Sequence, residues 1–280
     1  MGNQIKTIAL LGLLSILLIT LGRMLGGVGG MYIGLLFALV MNGVSYFYSD
    51  KIALKMSGAK PVSQKEMPEL YGIVVDLSKK MDLPMPKLYM TPERQANAFA
   101  TGRDPNHASV AVTAGILDVL SKEELKAVLA HELGHVRNRD ILVASVAAVI
   151  ASAISFMGNM AMWGSFGRSR DDEDSGGGAF ALLAAILVPI GASLIQLAIS
   201  RQREFGADET GARTIGNGEP LAKALVAIHD SAKAHPMRTN PAFSSLYIGN
   251  PLGGLGGGLM KLFSTHPPVE ERVARLKKIH

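Results

Sequence analysis

The sequence predicts a mainly α membrane protein, with four transmembrane helices attached to a polar α+β part that contains a small β-sheet. Three observations predict it. Of the 280 residues, 48% are hydrophobic and only 18% are charged, well away from a typical soluble chain. The charges are unevenly spread, leaving residues 7–22, 24–49, 141–167 and 175–200 without a single Asp, Glu, Lys or Arg. Between these runs the chain turns polar, with helical periodicity in some stretches and short β-compatible runs in others.

A helix needs about 20 mainly apolar residues to cross the hydrocarbon core. Three of the runs exceed that length, and the first reaches it if Arg23 snorkels. Lys6 ahead of the first run resembles the start of a signal peptide. No small-x-small cleavage site follows before the next apolar run, so the segment reads as an uncleaved anchor. The small residues of the third run (Ala144, Ala147, Ala148, Ala151, Ser152, Ala153) suit close helix packing in lipid and, equally, a buried core helix of a large soluble domain. Periodicity does not separate these two readings. Lysines and arginines near the helix ends set the orientation: Lys6, Lys51, Lys55, Arg137, Arg139, Arg201 and Arg203 lie on one side, against Arg23, Arg168 and Arg170 on the other. The excess places both termini in the cytosol. The chain then divides into two membrane helices (1–50), a first cytosolic part (51–140), two further membrane helices joined by a short outside loop (141–200) and a second cytosolic part (201–280).

Within the first cytosolic part, Leu70, Ile73, Val74 and Leu77 mark a helix over 68–81, with Pro68 in its first turn and Pro84 and Pro86 beyond its end. Residues 87–90, 96–101 and 108–113 read as a small strand meander. The second part has helical patterns at 220–233 and 269–279. The Gly-rich run 253–258 between them reads as a loop, because it neither follows a strand nor matches a dinucleotide fingerprint.

No cysteine is present, so a metal would have to be held by His, Asp or Glu. A net charge of +5, spread along the chain, gives no basis for nucleic-acid binding. The pattern His131-Glu132-Leu133-Gly134-His135 carries the strongest chemistry. On a helix, His131 and His135 share one face and can bind one zinc, with Glu132 beside them to take a proton from a water. The helix is independently indicated by a capping box at Ser121 and Glu124 and by an apolar stripe through Leu125, Val128, Leu129 and Val136. A third ligand stands directly after the fourth apolar run. Glu204 and Asp208 are also one turn apart, so one can bind the metal while the other orients an imidazole; the same pair, taken with Arg201 and Arg203, also suits a solvated, ion-paired helix face. Two membrane crossings between His135 and Glu204 return the chain to the same side, as a shared zinc requires.

His-Glu-Leu-Gly-His at 131–135, Glu-Phe-Gly-Ala-Asp at 204–208, Asn97-Ala98-Phe99-Ala100-Thr101-Gly102 and Thr265-His266-Pro267-Pro268 occur in the order and setting of the HtpX family. The chain resembles those bacterial heat-shock-linked inner-membrane zinc proteases over essentially its whole length. The CAAX prenyl proteases share the zinc motif more distantly, with a larger membrane chamber. The resemblance implies a gluzincin-type membrane endopeptidase acting in stress-linked quality control. Its substrates would be unfolded or misassembled membrane proteins, and it would be linked functionally to other membrane proteases.

In that reading His131, His135 and Glu204 hold one zinc, which acidifies a water and polarises the scissile carbonyl. Asp208 lies behind a ligand, and Glu132 is the general base. His266 is either an oxyanion stabiliser or a turn residue before two prolines. Asn97, Ala98, Phe99 and Ala100 form either a strand that pairs with extended substrate or an ordinary edge strand. Two other functions compete. A transporter needs ionisable groups inside its spans, and these runs have none. An inactive metal-binding scaffold does not need Glu132, which is present.

Overall fold

The computed structural model describes residues 2–166, 201–236, 246–249 and 266–279; the 168–174 loop, the fourth apolar run, the Gly-rich run 253–258 and His280 lie outside them. The described chain opens with a helical hairpin. Helices α1 (Asn3–Met24) and α2 (Gly26–Met56) are each long and apolar enough to cross a membrane. The chain reverses at Gly26 and Gly27, where Gly27 has φ 59° and ψ −139°, a conformation that a side chain would strain. The two arms approach so closely that a Cβ on Gly22 would strike the Gly30 carbonyl. Their outer faces are apolar and open: Ile8 is 69%, Met24 76% and Leu36 62% exposed. An apolar surface this extensive is suited to lipid.

The polar part follows as β1 (Lys60–Pro61), α3 (Pro68–Lys80), β2 (Lys87–Thr91), β3 (Ala98–Gly102), β4 (Ala108–Thr113), α4 (Ala114–Val119), α5 (Lys122–Arg137), α6 (Ile141–Phe166), α7 (Arg201–Ile215), α8 (Glu219–Ala234) and α9 (Val269–Leu276). The helices expected at 68–81, 220–233 and 269–279 form at those places. The expected meander does not. The sheet is mixed, with strand order β1-β2-β4-β3, and β2 runs parallel to β4. The reason lies in β4, all six residues of which are buried, so that it takes the centre of the sheet. β3 folds onto one edge of β4 as an antiparallel hairpin, in which Gly102 (φ 144°) passes tightly against the His107 carbonyl. β2 is left with the other edge.

The sheet, α3, α5 and α8 enclose the main core, in which Leu77, Val110, Ile116, Leu129, Leu133, Leu225 and Ile228 are buried. Each such side chain contributes roughly 1.5–3 kcal/mol by leaving water. Helix α6 is buried on two sides up to residue 154. Val143, Val146, Ala147 and Ile150 meet Leu10 and Leu14 of α1, while Ala148 and Ala151 join Phe99, Ala53 and Leu54. Over that stretch the third apolar run packs between the membrane hairpin and the sheet.

Candidate metal centre

Helix α5 is fastened at both ends. At its start Ser121 and Glu124 exchange side-chain and backbone hydrogen bonds in a capping box. At its end the chain leaves in a Schellman turn. The Asp140 N–H donates to the His135 carbonyl at 2.9 Å, the Arg139 N–H donates to Val136, and Arg139 adopts φ 58° where glycine is more usual. This turn folds Asp140 back beneath its own helix, placing its Oδ2 3.1 Å from His135 Nδ1.

One turn earlier on the same face, His131 Nδ1 lies 2.9 Å from Asp208 Oδ1 on α7. A carboxylate oxygen therefore stands within about 3.1 Å of Nδ1 on each imidazole, which leaves Nε2 to face a metal. Helix α7 can approach this closely because Gly211 has no side chain; a Cβ there would sit 2.9 Å from the His131 backbone nitrogen. The crossing places Glu204 Oε1 3.5 Å from His135 Nε2 and Glu204 Oε2 3.9 Å from His131 Nε2. The ligand atoms of His131, His135 and Glu204 all lie within 4.8 Å of one another. A tetrahedral zinc with bonds of about 2.1 Å holds its ligand atoms roughly 3.4 Å apart, so this set needs little adjustment. His131 Nε2 is buried without a hydrogen-bond partner among the described residues, as a lone pair directed at a cation would be. Two imidazoles and a carboxylate suit a divalent transition-metal ion.

His266 also reaches this place, with Nδ1 3.2 Å from Glu204 Oε2 and a buried Nε2 that has no partner among the described residues. Glu132 is 2% exposed. The cavity between them is narrow, about 30 Å³, which suits a water or an ion rather than a peptide side chain. Its walls include Ile141, Ala144, Arg203 and Leu246.

Arg272, 1% exposed, closes the back of the site. Its Nε and Nη2 bind both oxygens of Asp208 at 2.9 and 2.7 Å, and its Nη1 donates to the Ile248 carbonyl and lies 3.7 Å from Glu204 Oε2. Neither Arg272 nor Asp140 follows from the motif spacing. Asp140, five residues after His135 and just past the helix end, carried a readable signal; Arg272, on a distant amphipathic helix, carried none.

β3 runs alongside α5. Ladder alternation turns the backbone groups of Ala98 and Ala100 away from β4. The Ala98 carbonyl accepts the Ile248 N–H at 3.0 Å, Phe99 pairs with Tyr247, and the Asn97 side chain bonds both backbone groups of Gly249. Three of the four expected substrate-strand residues therefore engage the chain's own residues 247–249. The outward Ala100 carbonyl, nearest the metal ligands, is not among those bonds.

The electrostatics divide the two imidazoles. Burial, helped by the charges of His135 and Arg272, lowers His131 to about 4 despite Asp208. Burial also opposes charge on His135, but the hydrogen bond it donates to Asp140 and the carboxylates of Glu204 and Glu132 outweigh it and raise His135 to about 9. Burial pushes Glu132 up to about 7. Glu204 is buried too, yet His266, His135 and Arg272 hold it well below the usual carboxylate range. A metal ligand must be deprotonated. Metal binding near neutrality should therefore displace one proton, from His135, and none from His131. Apparent zinc affinity should rise about tenfold per pH unit below pH 9 and level off above it. Calorimetry of zinc binding in buffers of different ionisation enthalpy measures this, and release of two protons at pH 7.5 would contradict it.

A sequence model of peptidase family M48 matches residues 64–280. Curated relatives match over nearly the whole chain. A "Protease HtpX homolog" of Pelotomaculum thermopropionicum is 50% identical, covering 98% of both chains. One of Syntrophobacter fumaroxidans is also 50% identical, covering 100% of both, and one of Aquifex aeolicus is 51% identical over 93% of this chain and 87% of that one. Among solved structures, Ste24p of S. mikatae matches with a TM-score of 0.54 at 17% identity. The match covers 98% of this chain, which spans just under two thirds, 65%, of that one, and it concerns the fold.

Proposed function

Because the chain belongs to peptidase family M48, we propose that this membrane-bound metalloprotease is a zinc endopeptidase of gluzincin type that cleaves unfolded or misassembled membrane proteins. The observation that carries the reading is the convergence of His131, His135 and Glu204, with the Glu132 carboxyl buried beside them. Zinc held there would polarise the scissile carbonyl and acidify a water. The protein's own groups do the rest. Glu132, already raised toward neutrality by burial, takes a proton as the water oxygen adds to the carbonyl carbon, and delivers it to the nitrogen as the C–N bond breaks. In its imidazolium form, with Nδ1–H on Glu204, His266 presents Nε2–H as a donor for the developing oxyanion. Asp208 and Asp140 keep the ligand imidazoles aimed. An extended peptide pairs with the strand 97–100 at the Ala100 carbonyl, because the outward edge of 97–99 is taken by residues 247–249. Backbone pairing makes few demands on side chains, so cleavage is broad.

The two apolar hairpin helices support a membrane location. Within this reading the chain spans the bacterial inner membrane four times, through 1–50 and 141–200. The parts 51–140 and 201–280, and both termini, are cytosolic, and no nucleic acid takes part. Incubation of the zinc-loaded protein in detergent with casein tests the activity. Fragments that appear on a gel and vanish with chelator are expected. Intact casein in the presence of one zinc per chain would leave a metal-binding scaffold instead.

A further inference from the structure

The first membrane helix reaches the metal centre directly. The Asn3 side-chain amide, at the start of α1, donates to Asp140 Oδ1 at 2.7 Å and lies 3.3 and 3.4 Å from the Asn138 and Arg139 carbonyls. Its three acceptors are the residues of the turn that ends α5. Asp140 uses its other oxygen, Oδ2, on His135 Nδ1. One carboxylate thus joins a membrane helix to a metal ligand. Lys6, one turn further along α1, lies within electrostatic reach of the same Asp140 and of Arg203.

We propose that Asn3 is a positioning residue for the metal centre, acting through Asp140 to set the orientation of His135 and so coupling the placement of α1 to metal affinity. The turn it grips is closed by its own backbone hydrogen bonds, and Asn3 adds side-chain contacts to its carbonyls and to the Asp140 carboxylate. Arg139 sits in the left-handed region, where a non-glycine residue is strained, and Asp140 must stay both close to His135 and aimed at it. An imidazole whose Nδ1 partner shifts loses its fixed tautomer and direction, and the metal feels this as weaker binding. An amide suits this position because it offers donors to a carboxylate and to two carbonyls, which neither a carboxylate nor an aliphatic side chain would do. Since α1 also packs against α6 through Leu10 and Leu14, a shift of the helix in the bilayer would be felt at Asn3.

The proposal rests on His131, His135 and Glu204 being the metal site. The test is the zinc affinity of metal-free, full-length protein in detergent, measured by competition with a chromophoric chelator. Wild type, Asn3→Ala, Asp140→Asn and the double variant are compared. Asn3→Ala is expected to weaken zinc binding about tenfold, the lower end of the range for outer-shell partners, with thermal stability of the metal-free protein unchanged. Asp140→Asn is expected to weaken it more, and Asn3→Ala should add nothing in that background, because the effect runs through Asp140. Equal zinc affinity for wild type and Asn3→Ala overturns the proposal. So does a loss that persists undiminished in the Asp140→Asn background, which would mark a merely structural role. If wild type itself binds no zinc, the metal-site reading fails, and the proposal with it.

Discussion

Glu132→Gln is expected to retain one zinc per chain while kcat falls about 10²–10⁴-fold, the usual contribution of a positioned general base. Gln has the shape of the native side chain and cannot accept the proton. Its neutrality suits the site, where burial already pushes the Glu132 carboxyl up to about 7, so folding should not suffer. Glu204→Ala provides the contrast. It removes a ligand, and metal and activity should disappear together, as they should for His131→Ala and His135→Ala. Zinc content by elemental analysis, alongside casein cleavage, separates the two outcomes. Cleavage by Glu132→Gln at more than about a tenth of the wild-type rate would remove Glu132 from the proton path.

Arg272→Met is expected to destabilise the metal-free protein by about 3–5 kcal/mol, lowering its melting temperature by roughly 10 °C. The substitution preserves the length and apolar stem of a side chain that is 1% exposed, but it leaves Asp208 with no cation and deprives Glu204 of one of its positive neighbours. Burial works against both carboxylates. Arg272 is the leading cause holding Asp208 down at about 2, and it helps His266 and His135 to hold Glu204 low. The Ile248 carbonyl loses its donor as well, loosening the segment bridged to β3. Zinc supplies positive charge at the same place, so the loss should be smaller with metal bound. Melting curves recorded with and without zinc test both statements. A metal-free Arg272→Met protein that melts within about 2 °C of wild type would show that the carboxylates do not depend on the guanidinium.

The ligands were legible because their relations are local. His131 and His135 are one turn apart on a helix whose capping box is written into the same stretch of chain, and Glu204 and Asp208 repeat that spacing. Charge-free runs identified the α1–α2 hairpin in the same way, since crossing a membrane is a property of length and composition. The sheet was less legible. Three of its four strands were placed to within two residues and β1 was not foreseen; a period of two does not say which strand lies beside which, and the meander gave way to a mixed sheet centred on β4.

Taken alone, the sequence determined that a helix presents two imidazoles and a carboxylate on or beside one face, that a second acidic pair follows, and that apolar helices carry both. These follow from helical geometry and hydrophobicity, which act over a few residues. The tertiary structure decided which groups complete the site. Asp140 is aimed by a turn, Asn3 arrives from the far end of the chain, Arg272 stands 64 residues beyond Asp208, and residues 247–249 lie along the strand expected for substrate. Apart from the Asp140 turn, which is local, these contacts join distant stretches of chain through packing of whole elements, such as the close crossing of α5 and α7 that Gly211 permits, and no local pattern encodes them. For the same reason only the structure shows that the third apolar run is buried up to residue 154, because burial depends on what packs against a helix and not on its composition.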